Sequence, residues 1–542
     1  MRWWGWGDPN RPPALPAHAL DFLRAEVGVA EQPRPPVELE AVRLPDPALP
    51  GAAREALAAA VGAEHVRDDR EARILHAAGK GYPDLVRQRA GDCEQAPDAV
   101  VAPGDHEQVR AVLAACAAAG VAVVPFGGGT SVVGGVEPLR GGFEAVISLD
   151  LGRLDRVVEV DRTSLTAILD AGLRGPEAEA ALQAQGLTLG HFPQSYEYAS
   201  IGGYVATRSA GQASTGYGRI DELVLGLRCA APAGDVDVRA LPASAAGPKL
   251  RELLVGSEGT LGVITQAAFK VRPAPAAKRY EGWFFRDFAE GAEAFRQLEQ
   301  QHAAPDVARL SDEQETRMSL ALAGGEGLKA RLGAGYLRLR GYEGGCLAIL
   351  GWEGDEDDVA RRAARSGAVA RRAGGLALGR SPGAAWSHGR FDGPYLRDDL
   401  LGLGVMVETL ETATQWSGLM ALHAAVSDAL RDALTARGTP PLVMCHVSHL
   451  YPSGASLYFT FLARQEEGAE LEQWWAAKEA AGNAIVGQGA TITHHHAIGR
   501  DHVPWMAAEV GEEGLAVLRA VKAQLDPAGI MNPGKLLPSS PA

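Results

Sequence analysis

The sequence predicts an α+β protein: a glycine-rich body built in two parts, an α/β region after it, and a C-terminal segment with helical character. Three observations carry this. Between residues 93 and 275, short apolar strands run into glycine-rich turns. From 278 to 435, helical and strand patterns alternate. Beyond 436, a strand pair and a helix precede a run of three histidines. At about 150 residues per domain, 542 residues leave room for three or four units. The expected divisions are an N-terminal arm and helical region (1–92), the glycine-rich domain (93–275), a cap (276–490) and a C-terminal segment (491–542).

Taken in order, residues 1–50 are rich in Pro and Trp with little periodicity, which suits an extended arm laid over the body. Residues 51–92 carry helical patterns such as Arg54–Val61. Asp98–Pro103 reads as a short strand ending in a turn. Asp105 can cap a helix running to about Ala119, because its carboxylate can accept a free N–H of the first turn. Val121–Phe126 is a buried apolar strand, and Ala145–Leu149, Val157–Val160 and Leu165–Leu169 are strand-like. Pro176–Gln185 is a helix with proline in its first turn. His191–Arg219, dense in Gly, Ser and Tyr, reads as loop. Leu250–Val255 and Leu261–Val271 close the domain, and Pro273–Ala277 reads as a linker. Gly324–Gly335 and Gly341–Gly345 interrupt the next region. Asp355–Arg372 is a charged amphipathic helix, and another helix lies near Glu470–Gly482.

A net charge of −15 argues against binding the backbone of nucleic acid, which needs a basic footprint, but leaves room for a local basic pocket. The five cysteines are scattered, with no CxxC pair, so neither a disulfide framework nor a cysteine metal site is expected. The opening MRWWGWGDPN is not a signal peptide, no apolar run spans a bilayer, and the final Ser-Ser-Pro-Ala is not a peroxisomal ending. The expected location is cytoplasmic. Trp3, Trp4 and Trp6 look exposed; they suit either a membrane interface or packing of the arm on the body.

The chemistry concentrates in the glycine-rich region. Pro125, Phe126, Gly127, Gly128, Gly129, Thr130 and Ser131 form a strand end followed by three glycines and two hydroxyls. Without Cβ atoms, backbone N–H groups can approach an anion closely, which suits a pyrophosphate. The loop has no lysine, so it is not a P-loop, and it does not open a helix, so it is not a Rossmann turn. Alone, it is equally compatible with a tight turn between strands. It is accompanied, however, by Gln194, Ser195, Tyr196, Glu197, Tyr198, Ala199 and Ser200; by Thr207, Arg208, Ser209 and Ala210; and by Glu258, Gly259, Thr260, Leu261, Gly262, Val263 and Ile264. Four such segments place small residues and hydroxyls where a large flat ligand could lie.

This array resembles the FAD domain of the vanillyl-alcohol oxidase / p-cresol methylhydroxylase (PCMH) superfamily over about residues 94–275. Asp526–Leu537, DPAGIMNPGKLL, resembles that superfamily's usual ending. The resemblance implies a two-subdomain FAD-binding domain with the glycine loop on the pyrophosphate. The other three segments would lie along the ribityl, adenine and isoalloxazine parts, and the C-terminal segment would return to this domain. No His or Cys stands at the usual attachment positions near the loop, so non-covalent FAD is expected.

The rest of the chain resembles the alkyldihydroxyacetonephosphate synthases (alkylglycerone-phosphate synthases). The resemblance rests on the opening WGWG, on VARLSD around Arg309, on YLRD around Arg397, on SLYFTF around Tyr458, and above all on His494, His495 and His496. It implies ether-lipid synthesis: a fatty alcohol replaces the acyl chain of acyl-dihydroxyacetone phosphate without net redox change, with flavin N5 as the electrophile that holds the glycerone unit. It makes Tyr458 the proton acceptor and donor, Arg397 a binder of substrate phosphate, and Arg309 a supporting group. The triplet would orient flavin and substrate. A lipid-phosphate substrate and a fatty alcohol are then the partners, and peripheral membrane contact and a homodimer are compatible with it.

A tyrosine base needs nearby positive charge to lower its pKa from about 10; arginines or protonated histidines could supply it. Taken singly, these residues have blander readings: Arg309 and Arg397 as surface charges, Tyr458 as a packed strand residue, and the triplet as a strand end whose alternate members point opposite ways. The chain also departs from the family, with His446 where it has arginine and His449 where it has glutamine. The alternative is an FAD-dependent 2-hydroxy-acid dehydrogenase or oxidase. No GDGN metal motif supports it, no metal is assigned, and His446, His449 and the triplet leave a histidine-rich site open.

Overall fold

In the computed structural model, residues 1–8, 10–11, 15–324 and 328–538 are described. The terminal Ser-Ser-Pro-Ala and part of the Gly324–Gly335 interruption lie outside them. A helix, Leu328–Leu339, nevertheless runs through Gly333 and Gly335, so that interruption is shorter than the composition suggested.

The glycine-rich body has two sheets. In the first, Ala99–Val101, Ala145–Asp150 and Val121–Phe126 run parallel, with the short Val66–Arg67 antiparallel at one edge. The helix His106–Ala119 packs beside it. Asp105 caps this helix by accepting the Gln108 N–H at 2.8 Å, and Gly120 closes it in the left-handed region. The second sheet is antiparallel, in the order Val157–Asp161, Thr166–Asp170, Val263–Lys270, Val224–Ala231, Gly234–Val238. Both have their own apolar cores. The expected loop at His191–Arg219 contains two short helices, Ile201–Ala206 and Ser214–Tyr217, and Arg219 is the N-cap of a third, Ile220–Leu223.

The second unit is one antiparallel seven-stranded sheet, ordered Leu376–Gly379, Ala277–Phe285, Cys346–Gly354, Val307–Ser311, Leu442–Tyr451, Gly454–Arg464, Val405–Gln415. The helices Phe288–Gln300, Glu356–Arg372, Leu419–Ala436 and Glu470–Gly487 accompany it. Alternation sorts its residues by face. Leu457, Phe459 and Phe461 enter the apolar core, while Ser456, Tyr458 and Thr460 take the opposite face. One rung of that face runs Ser311, His446, Tyr458, Glu411 across four strands.

The C-terminal segment folds back onto the body. Met531 bridges Val123 in parallel, and Asn532 Nδ2 donates to the carbonyls of Gly135 (3.1 Å) and Glu258 (2.7 Å). The N-terminal arm is less exposed than expected. Trp6 is 3% exposed and packs edge-on against Tyr198 at 5.3 Å. Trp4 is half-buried beneath Arg2 and Arg89. The membrane reading of Trp6 is therefore corrected: its ring is part of the protein interior. Among the described residues, no helix is long and apolar enough to cross a membrane.

Candidate active site

A cavity of about 430 Å³ lies between the glycine-rich body and the free face of the seven-stranded sheet. The loop Pro125–Ser131 lines one end, together with Gln194, Ser195, Ala199, Ser200, Thr207, Ser209 and Ala210; Glu258, Gly259, Gly262, Val263 and Ile264 line it as well. Arg309, Arg397, Tyr458, His495 and His496 line the same cavity. The segments read separately along the chain therefore converge.

Six of the expected cofactor residues do not line it. Tyr196 stacks on Phe391, Glu197 accepts the Tyr395 hydroxyl at 3.0 Å, and Tyr198 holds Trp6. Arg208 pairs with Asp221 and Glu252. Thr260 donates to the Ser257 carbonyl at 2.7 Å, and Leu261 belongs to the core. Residue type along a motif does not tell which side chains turn inward; these six support the wall from behind.

The glycine turn fits a pyrophosphate-bearing cofactor. A Cβ on Gly128 would lie 2.2 Å from the Tyr198 carbonyl oxygen, so only a bare backbone passes there. The turn leads into bends and not a helix, with Ser131 Oγ accepting the Gly135 N–H at 2.9 Å. Gln194 Nε2 is buried without a protein partner at the cavity wall, a donor suited to a polar ring edge. The residues present match FAD in shape and in donor type.

The end of the cavity opposite the glycine turn is held by Glu411, which sequence reading missed, and by Glu258, which it placed on the cofactor. The histidine triplet lies in a bend, not a strand. Glu411 accepts the backbone N–H groups of His494 (2.5 Å), His495 (3.0 Å) and His496 (2.7 Å), and the Thr493 hydroxyl at 2.6 Å. Glu258 accepts those of Ile498 (2.9 Å) and Gly499 (2.7 Å). This wrapping corrects the expectation that alternate rings diverge. All three cluster, with neighbouring ring centroids at 5.3 Å and 4.7 Å. His494 does not line the cavity; its Nε2 meets the Tyr451 hydroxyl at 2.5 Å. A signal for Glu411 did exist: an acidic residue within the apolar strand pattern of VETLETAT.

Tyr458 stacks on His446 at 4.8 Å and on His495 at 5.9 Å. His446 Nδ1 is 2.9 Å from Glu315 Oε2, and Arg309 ion-pairs with the same carboxylate. Burial opposes charge on Glu315, but His446 and Arg309 outweigh it and hold its pKa at about 2. Arg397 donates through Nη1 to the Lys80 carbonyl at 2.6 Å; its Nε and Nη2 are buried with no hydrogen-bond partner. Lys80, also missed, lines the cavity and donates to the Arg2 and Trp3 carbonyls at 3.1 Å. His449 reaches the cavity because Ser448 and His449 sit at an irregularity between Val447 and Leu450, where the pairing shifts and strict alternation fails.

The electrostatics correct one expectation. Burial pushes the Tyr458 phenol up to about 12, and the same desolvation lowers His446, His449, His494 and His495, and takes His496 to about 3. Desolvation favours the neutral form of each ring, so a positive charge in this cluster requires a proton shared with Glu411 or Glu315. Burial also opposes a charge on Glu411, yet the surrounding imidazoles and the Thr493 hydroxyl hold its pKa well below the usual carboxylate range.

Buried neutral histidines make stability depend on pH. Their folded pKa values lie below the unfolded value near 6.5, so their contribution is present above 6.5 and is lost as pH falls toward the folded values. His191 and His502 share this depression. Each group costs up to about 1.4 kcal/mol per pH unit. Thermal melts should therefore show Tm lower by roughly 5–10 °C at pH 5.5 than at pH 7; an unchanged Tm would contradict the neutral assignment.

Two family models match the chain: "FAD binding domain" over residues 97–238 and "FAD linked oxidases, C-terminal domain" over 274–536. A p-cresol methylhydroxylase crystal structure superposes with a TM-score of 0.65 at 15% identity, covering 89% of this chain and 96% of that one, which establishes the fold. Fold, cavity and models together define an FAD-binding flavoprotein of the p-cresol methylhydroxylase type. Alkyldihydroxyacetonephosphate synthase of Dictyostelium discoideum is 32% identical over 99% of this chain and 94% of its own length. A solved alkyldihydroxyacetonephosphate synthase matches with a TM-score of 0.86 at 30% identity, covering 99% of both chains. The chain belongs to the alkyldihydroxyacetonephosphate synthase family.

Proposed function

We propose that this enzyme replaces the acyl chain of acyl-dihydroxyacetone phosphate with a fatty alcohol. The observation that carries the reading is the single cavity in which the glycine turn faces Arg397, Tyr458 and the histidine bend. FAD, when bound, supplies an electrophilic ring close to the reacting carbon. The two unpartnered donors of Arg397 bind the substrate phosphate, where planar guanidinium geometry is effective. Tyr458 moves the proton at C1, and the neutral ring of His496 accepts a hydrogen bond from the incoming alcohol. Arg309 acts through Glu315 to hold His446 against Tyr458. Val307, Val407 and Trp386 supply apolar wall for the alkyl chains. The acyl group departs as a fatty acid and the alcohol oxygen takes its place on C1, so no electrons are gained or lost overall. Because both chains are lipid, contact with a membrane surface belongs to this proposal.

The test is to mix the purified yellow enzyme with acyl-dihydroxyacetone phosphate and then with a long-chain alcohol. Bleaching at the flavin band, release of fatty acid and appearance of an ether product are expected. Bleaching by D-lactate or glycolate, with no fatty acid from the lipid, would overturn the reading in favour of a 2-hydroxy-acid dehydrogenase.

A further inference from the structure

Tyr458 presents an unresolved requirement. A tyrosine that accepts a proton needs positive charge beside it. Arg309, which lines the same cavity, is paired with Glu315. Yet among the described residues one group has the geometry of a cation site. One ring nitrogen from each of His449, His494 and His495 lies within 4.8 Å of the other two.

The remaining nitrogens identify which atoms are available. His449 Nδ1 meets Ser214 Oγ at 2.5 Å, leaving Nε2. His494 Nε2 meets the Tyr451 hydroxyl, leaving Nδ1, which shares a hydrogen bond with His495 Nδ1 at 3.0 Å that an ion between the rings would replace. Ser214 and Tyr451 are thus placed as the outer partners that fix ring orientation in histidine metal sites. Glu411 Oε2, 3.6 Å from His495 Nδ1, supplies compensating negative charge, while the Arg219 guanidinium opposes it from farther out. Two of the three rings, His449 and His495, line the cavity, so a fourth position would face the substrate. Three imidazoles and an open position suit zinc or a similar divalent transition ion.

We propose that His449 Nε2, His494 Nδ1 and His495 Nδ1 form a binding site for a divalent transition-metal ion, zinc foremost, at the substrate end of the cavity. The ion supplies the positive charge that Tyr458 lacks and offers its open position to a substrate oxygen. The inference rests on the proposed function only for that last role; binding itself does not depend on it.

The experiment uses tag-free FAD-loaded enzyme, stripped with a chelator and titrated with zinc chloride by calorimetry, with elemental analysis after dialysis. About one zinc per chain is expected. His449→Gln should weaken binding by at least about 10-fold while the flavin absorbance is retained. Ser214→Ala, which leaves the three rings in place, should weaken it by a smaller factor and serves if His449→Gln does not fold. Substoichiometric zinc in the wild type, or equal binding by wild type and both variants, overturns the site. Acyl exchange by a zinc-free enzyme would remove the catalytic role and leave the proposed function standing. Zinc bound without acyl exchange would leave the binding site standing and remove the proposed function, and with it the ion's catalytic role.

Discussion

Replacing Tyr458 with phenylalanine is expected to lower turnover by roughly 10²- to 10⁴-fold while the protein stays yellow. The ring sits on the free face of the sheet, opposite His446 on one strand and Glu411 on the other. Phenylalanine keeps the stacking on His446 and His495 and removes only the hydroxyl. The side chain is half-buried at the cavity wall and desolvation pushes its phenol up to about 12, so loss of the oxygen removes the proton-carrying group with little change in packing. Single-turnover kinetics separate the outcomes. Substrate should still bind, with KM little changed, and flavin bleaching should be slowed. Near-normal bleaching would remove Tyr458 as the acid/base group and transfer that role to the neighbouring histidines.

Gly128→Val should give a colourless protein. Its Cβ would lie 2.2 Å from the Tyr198 carbonyl oxygen and 2.8 Å from Ala199 Cα, both backbone atoms that cannot swing aside. Either the glycine turn or the Tyr198–Ser200 segment must move, and both line the cofactor end of the cavity. Local strain of about 1–3 kcal/mol alone is roughly 5- to 150-fold in affinity, and the valine methyls add to it by filling space the cofactor needs. The ratio of flavin to protein absorbance after desalting measures the effect. A variant that stays fully yellow would show that Gly128 does not approach the pyrophosphate. Gly51, whose Cβ would meet nothing within 4 Å and whose backbone is not in the left-handed region, provides a control position for alanine substitution at the start of the helix Gly51–Val61.

Much of this architecture was legible from local pattern. Apolar runs bounded by glycine located Val121–Phe126 and Ala145–Asp150, an aspartate located the start of His106–Ala119, and alternation in SLYFTF placed Tyr458 and Phe459 on opposite faces of a strand. These depend on neighbours one to four residues apart, where backbone geometry fixes direction. The same local rules failed at the histidine triplet. Alternation separates its rings, but Glu411, some eighty residues earlier, collects their three N–H groups and turns the chain into a bend.

The sequence by itself determined the glycine turn and its chemistry, the alternating strand that carries Tyr458, and the residue types available for anion, proton and ring contacts. Only the tertiary structure decided which of them meet: Arg397 with Nη2 lacking a hydrogen-bond partner and Nε 3.9 Å from Asp398, Lys80 and Trp6 brought in from the N-terminal region, and His449 swung into the cavity where the strand pairing shifts. It also decided their charge. Desolvation depends on what surrounds a group in three dimensions, so neutral histidines and a high-pKa tyrosine follow from burial against distant segments and from nothing written beside them in the chain.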